Sequence, residues 1–195
     1  MAVSTVELVN NACALIGASF IISLDDATKT AITAKQVWPS VRDAVLRDFT
    51  WNCAEKLVTL GPLATGPAFG YTYAIQLPSD CIRIVSIEGD PKFKRVGHTI
   101  HINQNEINLT YIYRLEDVSK YDASLSAAME ARLAAILAFP ILESKQLRDD
   151  MWALYEELIR KAKGVDSREK SAEEYDNDVW IASRLSNPTR NRSNR

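Results

Sequence analysis

His98 and His101 are the two histidines of the chain. Their His-x-x-His spacing raises the question of a metal site. They fall in a segment expected to form a hairpin, and on a strand residues three apart point to opposite faces, so the pair does not chelate naturally. No acid or cysteine stands beside them at ligand spacing, and they read as exposed or turn histidines. The three cysteines, Cys13, Cys53 and Cys81, sit alone in apolar surroundings. An odd number without a framework points to reduced, buried thiols of a cytosolic setting rather than to zinc or a nucleophile. The carboxylates Asp25-Asp26 and Asp149-Asp150 are adjacent pairs. The first suits helix capping and the second a solvated helix face; acid–base work would need a third partner. Gly61, Gly66 and Gly70 come with prolines, with no Lys-Ser or Lys-Thr to hold a phosphate. There is no Gly-x-Ser-x-Gly elbow. These residues predict a protein without catalytic, metal or cofactor chemistry.

The elements that carry these residues are organised around Ala123 to Lys163. Leu125, Ala128, Met129, Ala131, Leu133, Ala134, Ala135, Ile136, Leu137 and Ala138 make a helix, 123–142, that is apolar nearly all round. Such a helix is buried at the centre of a bundle or between subunits. A second helix, 144–163, has one amphipathic face: Leu147, Met151, Leu154, Tyr155, Leu158, Ile159 and Ala162. Two helices are expected near the N-terminus. One, 4–17, is capped by Ser4 or Thr5 and stopped by Gly17. The other, 28–49, is capped by Asp25 or Asp26, with Pro39 expected to kink or break it. Between the helix pairs, 71–113 alternates in strand fashion with Gly, Pro and Asn turns. It predicts four or five short antiparallel strands. The fold expected is α+β: mainly an α-helical bundle with a small inserted antiparallel β region and an extended C-terminal arm. Residues 1–164 form one domain and 165–195 the arm.

The bulk numbers agree with a single domain. A chain of 195 residues can bury a proper core. A net charge of −2 is too small for a general nucleic-acid binder or an acidic tail. No uninterrupted apolar run reaches the ~20 residues of a membrane span, and no secretory signal is expected over 1–11. The arm holds an isolated apolar cluster, Val179-Trp180-Ile181-Ala182, followed by Arg184, Arg190, Arg192 and Arg195 with no acid among them. Apolar surface left in water costs roughly 25 cal/mol per Å². Trp180 is therefore expected to fold back onto its own bundle or to dock on a partner.

The order of features resembles the head-to-tail adaptors of tailed bacteriophages, the tail tubular protein A family of short-tailed phages. The residues that carry the resemblance begin with Asn11-Ala12-Cys13-Ala14-Leu15-Ile16-Gly17 and Ser23-Leu24-Asp25-Asp26. Next come Trp38-Pro39-Ser40-Val41-Arg42-Asp43-Ala44-Val45-Leu46 and Phe49-Thr50-Trp51-Asn52-Cys53-Ala54. Leu77-Pro78-Ser79-Asp80-Cys81-Ile82-Arg83-Ile84, Leu109-Thr110-Tyr111 and Ala131-Arg132-Leu133-Ala134-Ala135-Ile136-Leu137-Ala138 complete the series. Each motif alone is a core or turn pattern; their order and spacing make the match specific. Cys53 departs from it, standing where a bulky aromatic is expected.

The resemblance implies a structural virion protein, placed at the head–tail junction and assembled in the bacterial host cytoplasm. It implies a ring of twelve copies that joins the portal protein to a tail nozzle of the tail tubular protein B kind. Genomic DNA would pass through the channel without sequence recognition. It makes Val179, Trp180, Ile181 and Arg184 candidate portal contacts, the β region a candidate nozzle-facing surface, and Leu133, Ile136 and Leu137 candidate subunit-interface residues. The alternative is a small DNA-binding protein that uses the arginine-rich C-terminus, marked by duplex binding that weakens steeply with salt.

Overall fold

A computed structural model of the chain describes residues 4–169. It has four α-helices, α1 (Thr5–Ile16), α2 (Lys29–Asp48), α3 (Ala123–Leu142) and α4 (Lys145–Glu169), and six strands. The strands are β1 (Glu55–Leu60), β2 (Tyr73–Gln76), β3 (Cys81–Ile87), β4 (Lys94–Val96), β5 (Thr99–Ile102) and β6 (Ile107–Tyr113). About 48% of the structure is helical and 20% strand. The expectation of a mainly helical bundle with a small β insertion is therefore corrected to an α+β fold. The β part holds two three-stranded antiparallel sheets, ordered β1-β6-β3 and β2-β5-β4, and has a hydrophobic core of its own. Ile75, Leu77, Ile100 and Ile102 of the second sheet region meet Ile87, Ile107, Leu109 and Tyr111 of the first.

β1 is the strand the sequence pattern conceals. It lies at a sheet edge and none of its side chains is fully buried, so Glu-Lys-Leu-Val-Thr-Leu lacks the alternation of a covered strand. Its partner β6 shows that alternation clearly, with Ile107, Leu109 and Tyr111 buried on the side of the sheet core. Ile112, on the opposite side, joins the helical core. β6 thus belongs to both cores and couples the two layers.

α3 lies at the centre of the helical layer, packed by α1, α2 and α4. By length and composition it could cross a membrane; here its Leu125, Met129, Leu133 and Leu137 are spent in the protein's own core. Its alanines let three helices approach it closely, which is why one helix can be apolar on nearly every side. Asp122 caps it by accepting from Leu125 N–H at 2.7 Å. Glu143, in the left-handed region at φ 56, ends it and turns the chain into α4. Arg132 ties the layer together. It pairs with Asp48 at the end of α2 and donates to the Tyr155 hydroxyl of α4 at 3.0 Å. The Tyr155 hydroxyl in turn donates to Asp48 at 2.7 Å.

Three local expectations change. α2 is continuous through Pro39, which stands on its exposed side, so there is no break there. Its cap is Thr28, which accepts from Ala31 N–H at 3.2 Å. Asp26 instead accepts from the N–H groups of Ile22 and Ser23 and shapes the preceding loop. α4 continues past Gly164 to Glu169, into the stretch read as arm; one glycine costs a helix only about 1 kcal/mol.

Candidate docking surfaces

The outer face of the first sheet is covered at one end only. Ile82 and Ile112 go under the helical layer. There the Arg47 guanidinium of α2 donates to Ile82 O at 3.0 Å, and Arg83 donates back to Arg47 O at 3.3 Å. Further along the strands the helices end and the face is open. Two rows of side chains cross it, set by the strand register: Leu57–Thr110–Ser86 and Thr59–Asn108–Glu88. The second row is hydrogen-bonded throughout. Thr59 Oγ1 donates to Asn108 Oδ1 at 2.7 Å, and Asn108 Nδ2 donates to Glu88 Oε2 at 2.6 Å. Together with the Gly89-Asp90 turn these rows line an open concavity of about 1070 Å³. Leu57 is 81% exposed at its rim. Among the described residues neither Glu88 nor Asp90 forms an ion pair with a cation. The surface is therefore a rigid polar and acidic floor with one unburied leucine.

At the covered end of the same sheet, Asp80 secures the turn between β2 and β3. It accepts from Lys56 Nζ at 2.9 Å and from the Tyr111 hydroxyl at 3.1 Å. Burial alone would raise its carboxyl, but these two donors and the Lys56 charge hold it below the usual carboxylate range. Burial and the neighbouring Asp80 carboxylate push the Tyr111 hydroxyl up to about 12.

Two further surfaces expose apolar side chains. The α1–α2 loop is held by Asn10, whose side chain exchanges two 2.9 Å hydrogen bonds with the backbone of Ile21. Ile21 is buried, whereas Phe20 is 66% and Ile22 92% exposed on either side of it. At the C-terminal end of α3, Phe139 and Leu142 are exposed as well.

The residues singled out from the sequence fall as follows. Leu133 and Leu137 are wholly buried inside the chain, so of the three candidate interface residues only Ile136 keeps some surface. Val179, Trp180, Ile181 and Arg184 lie outside the described residues. His98 is exposed beside the β4–β5 turn and His101 is half-buried in β5. Among the described residues no three His, Cys, Asp or Glu side chains are grouped to hold a metal ion. Cys13 and Cys81 are buried and Cys53 half-buried, all as free thiols. Burial raises all three above the ordinary thiol range, Cys53 to about 11 with the help of the Asp122 charge. Buried, protonated thiols are poor nucleophiles. Asp25 is paired with Lys35 at 2.6 Å and Asp149 with its neighbour Arg148 at 2.8 Å.

The open sheet face was not legible because one edge of it, with Leu57 and Thr59, stands on β1. The available signal was β6, where Asn108 and Thr110 alternate with buried neighbours and so mark a second, outward face. No family model matches the chain, and a comparison with curated proteins returns no match.

Proposed function

We propose that the chain is a head-to-tail adaptor of a short-tailed bacteriophage, a structural virion protein without catalytic activity. In this reading copies of it form a ring between the portal protein and the tail nozzle, around the channel through which the genomic DNA passes. The observation that carries the reading is the ordered series of motifs from Asn11 to Ala138, which resembles the tail tubular protein A family over about two thirds of the chain. The motifs occupy the joints of the fold. Gly17 is the left-handed cap of α1, Asp26 shapes the loop before α2, Asp80 anchors the β2–β3 turn, and Ala131 to Ala138 form the centre of α3.

Two physical features favour a protein that works by docking. Phe20 and Ile22 stand exposed on a loop whose backbone is already fixed, so little ordering entropy is lost when they are covered. Phe139 and Leu142 give a second apolar patch on a different element. A ring needs two unlike patches, because each copy must meet one neighbour with each side.

The test is solution mass by light scattering, for the protein alone and after mixing with the portal ring of the same phage. The expected result is stoichiometric addition of copies to the portal. A chain lacking residues 179–195 should remain folded and lose portal docking. A protein that ignores the portal and instead binds duplex DNA, with affinity falling steeply as salt rises, overturns the reading in favour of the arginine-rich DNA-binding alternative.

A further inference from the structure

We infer that the chain's own C-terminal segment, residues 179–184, docks across the open end of the β1-β6-β3 sheet. Trp180 covers Leu57, and Arg184 reaches the acidic edge formed by Glu88 and Asp90. α4 returns antiparallel to α3, as the turn at Glu143 and the bond between Arg132 and Tyr155 show. Its last turns therefore run past Asp122, the cap of α3. Asp122 lies against Cys53, two residues before β1 begins. The chain thus leaves α4 at the end of the helical layer from which the open sheet starts.

Nine residues, 170–178, separate Glu169 from Val179, and the ten steps between the two span up to about 35 Å of extended chain. Leu57 stands only four residues beyond Cys53, about 13 Å at strand spacing. The segment has ample length to cross the sheet and no need to stretch.

Val179-Trp180-Ile181-Ala182 is the one apolar cluster in an otherwise polar stretch, and Arg184, Arg190, Arg192 and Arg195 follow it without an acid. The sheet offers the reverse pattern, an exposed leucine at one side and, at the other, two carboxylates that pair with no cation among the described residues. Thr59, Asn108, Thr110 and Ser86 between them give a polar floor along which an extended segment can lie. Covering Leu57 with an indole removes apolar surface that it otherwise leaves in water. The inference concerns the isolated chain and stands apart from the adaptor reading.

The experiment is acrylamide quenching of Trp180 in the full-length protein, obtained as the difference between the parent and its Trp180→Phe variant. A free peptide of residues 174–186 supplies the unprotected reference. Trp180 is expected to quench several-fold less in the protein than in the peptide. Leu57→Asp and Glu88→Arg should each restore peptide-like quenching while circular dichroism stays unchanged. Arg184→Glu placed on Glu88→Arg should recover the shielding. Peptide-like quenching in the parent overturns the inference, and so does shielding that survives both sheet substitutions. Shielding that grows with protein concentration as the mass doubles assigns the segment to another copy's sheet and overturns docking within one chain.

Discussion

Two side-chain groups, built on Asp80 and on Arg132, hold the elements in register. The Asp80 carboxylate is held below the usual range by Lys56 and Tyr111 against the opposing effect of burial. A lowered folded-state value means that its contribution is fully present above the unfolded value near 3.8 and is lost as pH falls through the folded value. Asp80→Asn should therefore lower stability by about 1 kcal/mol at neutral pH, since its partners are partly exposed. The difference from the parent should shrink as pH falls below the unfolded value and through the lowered folded one, as read by urea unfolding across the acid range. A difference that persists undiminished in acid would mean the carboxylate charge is not the source. Arg132 matters in another way. It holds Asp48 and Tyr155 and lies over the rings of Trp152 and Tyr155, each 5.1 Å away. Arg132→Ala should cost about 2–3 kcal/mol and leave Asp48 without its cation. Tyr155→Phe, which keeps the ring, should cost about 1 kcal/mol. Equal losses in the two variants would show that the hydroxyl, and not the cation, is the joint.

Among the elements, α2 and β6 behave least as their local sequences suggest. Proline inside a helix removes a donor and crowds the preceding turn, yet α2 is continuous because Val41, Val45 and Leu46 bury one face of it beyond Pro39. Packing outweighs the local penalty. Pro39→Ala should accordingly raise stability by about 1–3 kcal/mol with no change in helical content. A lower urea midpoint would show that the proline is needed to set the path of the helix. β6 gives its two faces to two cores, Leu109 and Tyr111 to one and Ile112 to the other. Ile112→Ala should cost about 2–4 kcal/mol as a buried large-to-small change. It should also speed hydrogen exchange in β1 and β3 as well as in α2. Exchange that changes in the helices alone would show that the layers open independently.

For the whole molecule, the two cores meet through β6 and the start of β3, so heat or urea should melt both layers together. The described tryptophans, Trp38, Trp51 and Trp152, all belong to the helical layer and pack in or against its core. Their fluorescence should therefore change at the same denaturant concentration as exchange protection in β2 and β5. Separate midpoints would make the β part an autonomous unit. If the adaptor reading holds, docking of the C-terminal segment on its own sheet would set a competition. Portal rings should then bind Leu57→Asp more tightly than the parent, because that variant has no docked state to give up.

The sequence alone determined the elements whose pattern is strong. Helix 123–142 and the strands Thr99–Ile102 and Ile107–Tyr113 stand at the bounds their residues suggest, because continuous apolarity, strict alternation and turn residues are local signals. The sequence also carried the capping of α1, with Ser4 among its two candidate N-caps and Gly17 as its stop. The tertiary structure decided what depends on neighbours. β1 is a strand because β6 pairs with it, and its own half-exposed residues do not reveal this. α2 survives Pro39 because its other face is buried. Leu133 and Leu137 face the chain's own core because α1, α2 and α4 close around α3. Apolarity states that a side chain is to be covered and leaves open by what. The open sheet face arises from the same cause, since only the packed layers show where the helices stop and Leu57 is left uncovered.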